Sequence, residues 1–240
     1  MRQFLSVLLA AFLSAGAAWA QSAAPEAAKP ASVPNTLEQR IAACTICHGK
    51  QGEGVRKNDY YPRLAGKPTE YLYNQLIGFR ERQRSASPIM TYMIGALSDN
   101  YLHEIADYFS ALRPAFPPPA PRPPPARYAL GEAIALKGLP ARDIPACAAC
   151  HGEQLTGLLP GIPGLVGLFP DYIASQLGAW KSGQRNSTAP DCMARIASRL
   201  TGDDISAVAA FLAARTGTPE TPPAAPRSLK LPLACGSAPQ

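Results

Sequence analysis

Cys44-Thr45-Ile46-Cys47-His48 is followed 103 residues later by Cys147-Ala148-Ala149-Cys150-His151, and this repeated C-x-x-C-H decides the fold. Two thiols three positions apart on a helical turn lie on nearly one face, so both can form thioethers to the vinyl groups of one porphyrin. The adjacent imidazole then falls beneath the ring as the proximal iron ligand. C-x-x-C alone also serves zinc and thiol redox chemistry. Zinc would need a second close ligand pair in each half and a thioredoxin-like site a βαβ pattern, and the sequence offers neither. Cys44, Cys47, Cys147 and Cys150 are therefore expected to bind two covalent haem c groups.

The chain has 240 residues, a length that with two such motifs fits two small domains. Each is too small to build a generous core from protein alone, so the haem is expected to supply much of its apolar surface. Residues 1–20 join Arg2, an apolar run from Phe4 to Leu13 and the small-residue ending Ala18-Trp19-Ala20, the pattern of a secretory signal peptide cut near Ala20. The mature chain is therefore expected in an exported compartment. The formal charge of +6 falls on losing Arg2, and two haems would add up to about four propionate charges. Lys and Arg are scattered and no nucleic-acid module is visible, so nucleic-acid binding is not expected.

Residues 21–35 are Ala/Pro-rich and read as a disordered leader. A first domain is expected over 36–113. Thr36 caps a helix with Gln39 in the capping-box position, and that helix delivers Cys44. Thr69 opens a second helix carrying Leu72, Leu76 and Phe79, with Arg80, Arg82 and Arg84 favourable at its C-terminus. A loop holds Met90 and Met93, and Ser98 caps a helix bearing Leu102, Ile105, Phe109 and Leu112.

Eight prolines in 114–125, a stretch about 37 Å long at ~3.1 Å per residue, predict an extended linker over 114–126. The plan then repeats over 127–215. Leu130 and Ile134 precede Cys147, Ile173, Leu177 and Trp180 repeat the middle helix, Arg185 matches Arg84, and Thr201 with Asp204 caps the last helix. A Pro-rich tail, 216–240, contains Cys235.

Two haem irons have four axial positions, and the chain has three His and four Met. His48 and His151 are the proximal candidates, while His103 reads as a solvated helix residue. Met90 lies 42 residues beyond His48 and Met193 lies 42 beyond His151, so the repeat selects Met90 over Met93.

The duplicated C-x-x-C-H, Pro62-Arg63-Leu64-Ala65-Gly66, the Tyr71-Leu72 to Gln75-Leu76 pattern and Met90 eight residues before Ser98 resemble the dihaem class I cytochromes c of the "c-four" kind, over about residues 36–215. The resemblance implies an all-α fold of two tandem cytochrome c-type domains that shuttle electrons in the periplasm. It implies His48, Met90, His151 and Met193 as axial ligands, with the Pro62 and Pro163 carbonyls accepting hydrogen bonds from the proximal rings. Two features depart from it. The proline-rich linker argues against close packing of the two haems. Cys192 and Cys235 are additional, and in an oxidising compartment they form a disulfide if their Cα atoms come within ~7 Å.

With both axial positions filled, the expectation is an electron carrier, not an enzyme, passing electrons between a respiratory or dehydrogenase donor and a terminal oxidase or reductase. Its partners would be redox proteins, such as a membrane-bound oxidase or a dehydrogenase, with no small-molecule substrate. A cytochrome subunit docked permanently on a dehydrogenase would show the same motifs. A dihaem peroxidase would need an open iron position and a polar distal group, and neither Met segment supplies one.

Overall fold

The structure, a computed structural model, describes residues 36–55, 61–215, 217 and 222–238. The signal peptide and leader read from the sequence lie outside the described residues. No helix among the described residues is long and apolar enough to cross a membrane.

The first half is built on capped helices. The Thr36 side chain accepts from the Gln39 N–H at 3.3 Å and starts α1, Leu37–His48. α2 runs Thr69–Arg80, with Thr69 its first residue. The Met segment, expected as a loop, is the short helix α3, Pro88–Ile94, because Pro88 presets φ at the first helical position. Ser98 accepts from the Tyr101 N–H at 3.3 Å and opens α4, Asp99–Ala111, whose Leu102, Ile105 and Phe109 are buried.

The second half repeats this plan with additions. α5, Pro125–Leu136, begins inside the segment read as linker and stops well before the haem motif. Gly138 at φ 75°, the 3-10 turn Pro140–Arg142 and Asp143 at φ 52° then lead to α6, Ala148–His151. A short antiparallel pair follows, β1 (Gly157–Leu158) and β2 (Ile162–Pro163), a minor strand component in an otherwise helical chain. α7 is Pro170–Lys181, and α8, Cys192–Arg199, makes the second Met segment helical as well, capped by Asp191 accepting from the Ala194 N–H at 2.9 Å. α9, Gly202–Ala213, starts at the complete Thr201–Asp204 capping box. α5 and α9 cross closely: a Cβ at Gly131 would lie 2.3 Å from the Ala207 carbonyl oxygen, so only glycine fits there.

The proline-rich segment is not a free spacer. The Arg63 guanidinium donates to the Pro114 and Ala115 carbonyls at 2.7 and 3.0 Å and lies 4.4 Å from the Phe116 ring centroid. Further along, the Ala120 N–H donates to the Ala213 carbonyl at 2.8 Å. The segment thus accepts from the first half and donates to the second, and is a docked strap. The halves also meet directly: Ser85 N–H donates to the Gln184 carbonyl at 2.9 Å and Asn186 N–H to the Gln83 carbonyl at 2.8 Å. Close packing of the halves thus coexists with the proline-rich connection.

The tail is folded too. Residue 224 pairs with the hairpin, Ala224 N–H donating to the Gly157 carbonyl and Leu159 N–H to the Ala224 carbonyl, at 2.8 and 2.9 Å. Cys192 and Cys235 form a disulfide with a Cα–Cα distance of 5.0 Å, which ties the tail to the first residue of α8.

Candidate haem-binding sites

In both halves the helix carrying the C-x-x-C-H motif ends at its histidine because the next residue is a glycine at positive φ, Gly49 at 86° and Gly152 at 85°. The reversal brings a proline carbonyl back onto the ring. His48 Nδ1–H donates to Pro62 O at 2.9 Å, and His151 Nδ1–H donates to Pro163 O at 2.8 Å. A carbonyl can only accept, so the proton sits on Nδ1 and the Nε2 lone pair is left for a metal. Burial pushes His151 down to about 4 against the Pro163 hydrogen bond, and pushes His48 down as well. Both rings are therefore neutral at pH 7, the form that ligates iron.

Cys147, Cys150, His151, Pro163 and Met193 all line one apolar cavity in the second half. Ile134, Leu168, Ile173, Leu177, Val208 and Leu212 also face it, and Leu231, Leu233 and Cys235 of the tail close part of its wall. In the first half, Cys44 packs on the cluster of Ile41, Leu72, Ile105, Ala106 and Phe109, while Met90 packs on a separate cluster of Phe79, Ile94 and Leu102. Tyr73, Leu76 and Leu97 touch both clusters. Met93 is 43% exposed. His103 is half-exposed on α4, its ring 5.2 Å from that of Tyr73 on α2 and its Nδ1 3.1 Å from Asp107 Oδ2. None of the four motif cysteines is in a disulfide.

Between the halves lies a polar cluster whose function the sequence did not reveal. Arg84 donates to Gln75 Oε1 at 3.0 Å and across to Gln176 Oε1 at 2.7 Å; Arg185 donates to Gln176 Oε1 at 2.7 Å and across to Gln75 Oε1 at 2.8 Å. Arg185 also donates to the Tyr71 hydroxyl at 3.3 Å. Arg84 is therefore not a helix-terminal charge: the chain turns after α2 through Arg82 at φ 60° and carries Arg84 inward over the Phe79 ring. The available signal was the 101-residue offset shared by Tyr71/Tyr172, Gln75/Gln176 and Arg84/Arg185, polar residues recurring among apolar ones.

Both guanidiniums are buried, and among the described residues neither meets a carboxylate. Burying two such charges with only neutral acceptors costs several kcal/mol, roughly, unless an anion joins them. Burial and Arg185 push the Arg84 guanidinium down to about 10. Arg185 Nε and Trp180 Nε1 are buried donors without an acceptor, and both residues line the cavity that holds Cys147 and His151. An apolar cavity with paired thiols, a neutral imidazole, a thioether and orphaned donors fits a flat, largely apolar macrocycle with carboxylate side arms. Among the described residues no group of three or more His, Cys, Asp or Glu converges on a point as a bare metal ion would require.

No protein-family model matches the chain. It is 39% identical, over 91% of its length and 94% of the relative's, to the thiosulfate dehydrogenase electron acceptor of Thiomonas intermedia. It is 32% identical to cytochrome c4 of Pseudomonas aeruginosa, over 73% of this chain and 85% of that one. Among solved structures, cytochrome c4 of Acidithiobacillus ferrooxidans superposes with a TM-score of 0.63 at 31% identity, covering 73% of this chain and 99% of that chain.

Proposed function

The chain belongs to the cytochrome c4 family of dihaem electron-transfer proteins, and on that premise we propose that it takes electrons from a dehydrogenase that oxidises thiosulfate. It hands them to a terminal oxidase or reductase, acting in the periplasm after cleavage near Ala20. The observation that carries this reading is the 39% identity, over nearly the whole chain, to a protein named for accepting electrons from thiosulfate dehydrogenase.

Two haem c groups are covalently bound, and each supplies a one-electron Fe(III)/Fe(II) couple. In this reading the haem-carrying domains are residues 36–113 and 127–215. Cys44 and Cys47 hold one group, and Cys147 and Cys150 the other. His48 and Met90 ligate the first iron, and His151 and Met193 the second. Support for the second set comes from its members lining one cavity, and for Met90 over Met93 from its contacts with Phe79, Ile94 and Leu102. Pro62 and Pro163 orient the imidazoles and raise their donor strength through the Nδ1 bonds. A thioether ligand from Met90 or Met193 would raise the potential and occupy the position a peroxide would need. Arg185 and Trp180 would offer their orphaned donors to the haem carboxylates. These residues bind, orient and exclude water; none is positioned to act as an acid or base in a reaction of its own.

The test is anaerobic mixing of the oxidised holoprotein with a thiosulfate dehydrogenase and thiosulfate. Reduction of both haems that depends on both additions supports the reading. Reduction without the dehydrogenase, or turnover of peroxide with an external donor, overturns it.

A further inference from the structure

The symmetric polar cluster sits beside an unsymmetric charge. In the duplicated proline loops, Pro62-Arg63-Leu64-Ala65-Gly66-Lys67 aligns with Pro163-Gly164-Leu165-Val166-Gly167-Leu168. Lys67 therefore has Leu168 as its counterpart. Lys67 is 7% exposed, and it crosses between the halves to donate from Nζ to the Gly164 carbonyl at 3.1 Å. Gly164 directly follows Pro163, whose carbonyl holds the His151 ring. Lys67 also lines the cavity that contains His151. Burial brings Lys67 itself down to about 8, so it remains charged at pH 7.

Among the described residues, the first half receives no matching charge. Leu168 is buried in the second half's apolar core. Arg63, which follows Pro62, turns its guanidinium away to the carbonyls of Ala65, Pro114 and Ala115, with the Glu53 carboxylate close enough to favour its charged form. Among the described residues Lys67 forms no ion pair of its own.

We propose that Lys67, supplied by the first half, is a positioning charge that raises the reduction potential of the second haem above the first and so gives the relay its direction. This rests on the dihaem reading above. A buried cation opposes the extra positive charge of ferric iron and leaves the ferrous state favoured, an effect strong in a site with little water. With haem held at both sites, one electron given up at the first would be taken up at the second, where the Lys67 charge favours the reduced form. No bond or proton moves, and the donor dehydrogenase supplies the electron.

The experiment is a spectroelectrochemical titration of the holoprotein, with paramagnetic NMR assigning each midpoint to its haem. In the wild-type protein one electron equivalent is expected to reduce the second haem first. Lys67→Gln and Lys67→Met are expected to shift the equilibrium for electron sharing between the two irons about tenfold towards the first, ~59 mV for a one-electron couple, with the first midpoint unmoved. Lys67→Arg is expected to restore it. Preferential reduction of the first haem in the wild-type protein overturns the proposal, and that measurement needs no variant. An unchanged second midpoint in both neutral variants also overturns it. So does an equal fall of both midpoints, or a wild-type value in Lys67→Gln alone, which would credit the hydrogen bond. Absence of two one-electron waves in the wild-type protein would instead defeat the dihaem reading itself.

Discussion

The two halves share one plan but are held together differently. In the second, a continuous core runs from Ile134 on α5 through Val166, Leu168, Ile173 and Leu177 to Val208, Phe211 and Leu212 on α9. In the first, buried residues fall into two smaller clusters joined through half-buried side chains. The second half adds an insert between α5 and α6, anchored by Arg142 on Asp204 and by Asp143 on Arg195, together with a hairpin and a disulfide-tied tail. The first half leaves Ile46 and Tyr92 exposed at 82% and 83%, where the repeat places Ala149 and Arg195. Duplication thus preserved the C-x-x-C-H turns while the surroundings diverged.

Removing one thioether tests the likeness of the two sites most severely. Met193→Ala is expected to abolish the Met-to-iron charge-transfer band of the second haem alone, and Met90→Ala that of the first, each leaving about half the total band. A band unchanged in both variants refutes the ligand assignment.

The differences in stability follow. Cys192→Ser with Cys235→Ser removes a cross-link spanning a sequence separation of 43 residues. It is expected to cost about 4 kcal/mol, which is what closing such a loop contributes. Hydrogen exchange should show the loss in the tail, hairpin and α8, with α1 and α4 unaffected. Gly131→Ala forces a methyl against the Ala207 carbonyl and should cost about 2 kcal/mol in denaturant titration, again in the second half.

The caps give the finest comparison. Asp204 accepts two hydrogen bonds from Arg142 and closes the Thr201 box, whereas Ser98 makes a single capping bond. Asp204→Asn should cost about 2 kcal/mol and Ser98→Ala about 1 kcal/mol. The Arg142 hydrogen bond, against burial, holds the Asp204 carboxyl down at about 2, below its ordinary 3.8. A depressed carboxyl stabilises the fold above its unfolded value and loses that contribution as the pH falls. The Asp204→Asn penalty should therefore be complete above about pH 4 and fade as the pH drops through 2, measured by thermal melts across that range.

Much of this was legible in the sequence because it is local. The C-x-x-C-H turns, the caps at Thr36, Ser98 and Thr201, and the apolar periodicity of α4 are set by neighbours a few residues apart. The Met segments were read as loops because α3 and α8 are too short for periodicity to show. The linker was read as a spacer because proline content reports backbone stiffness and says nothing of which carbonyls will be used.

By itself, then, the sequence determined the two haem turns, their 42-residue interval to a methionine and the duplicated helical plan. Only the tertiary structure decided that Arg84 and Arg185 turn inward on shared glutamines, that the strap and tail are docked, and that Lys67 reaches the loop of the second site. Lys67 and Gly164 are 97 residues apart. Local pattern constrains the backbone of a helix or turn, but the end of a long flexible side chain finds its partner only after packing has brought distant segments together.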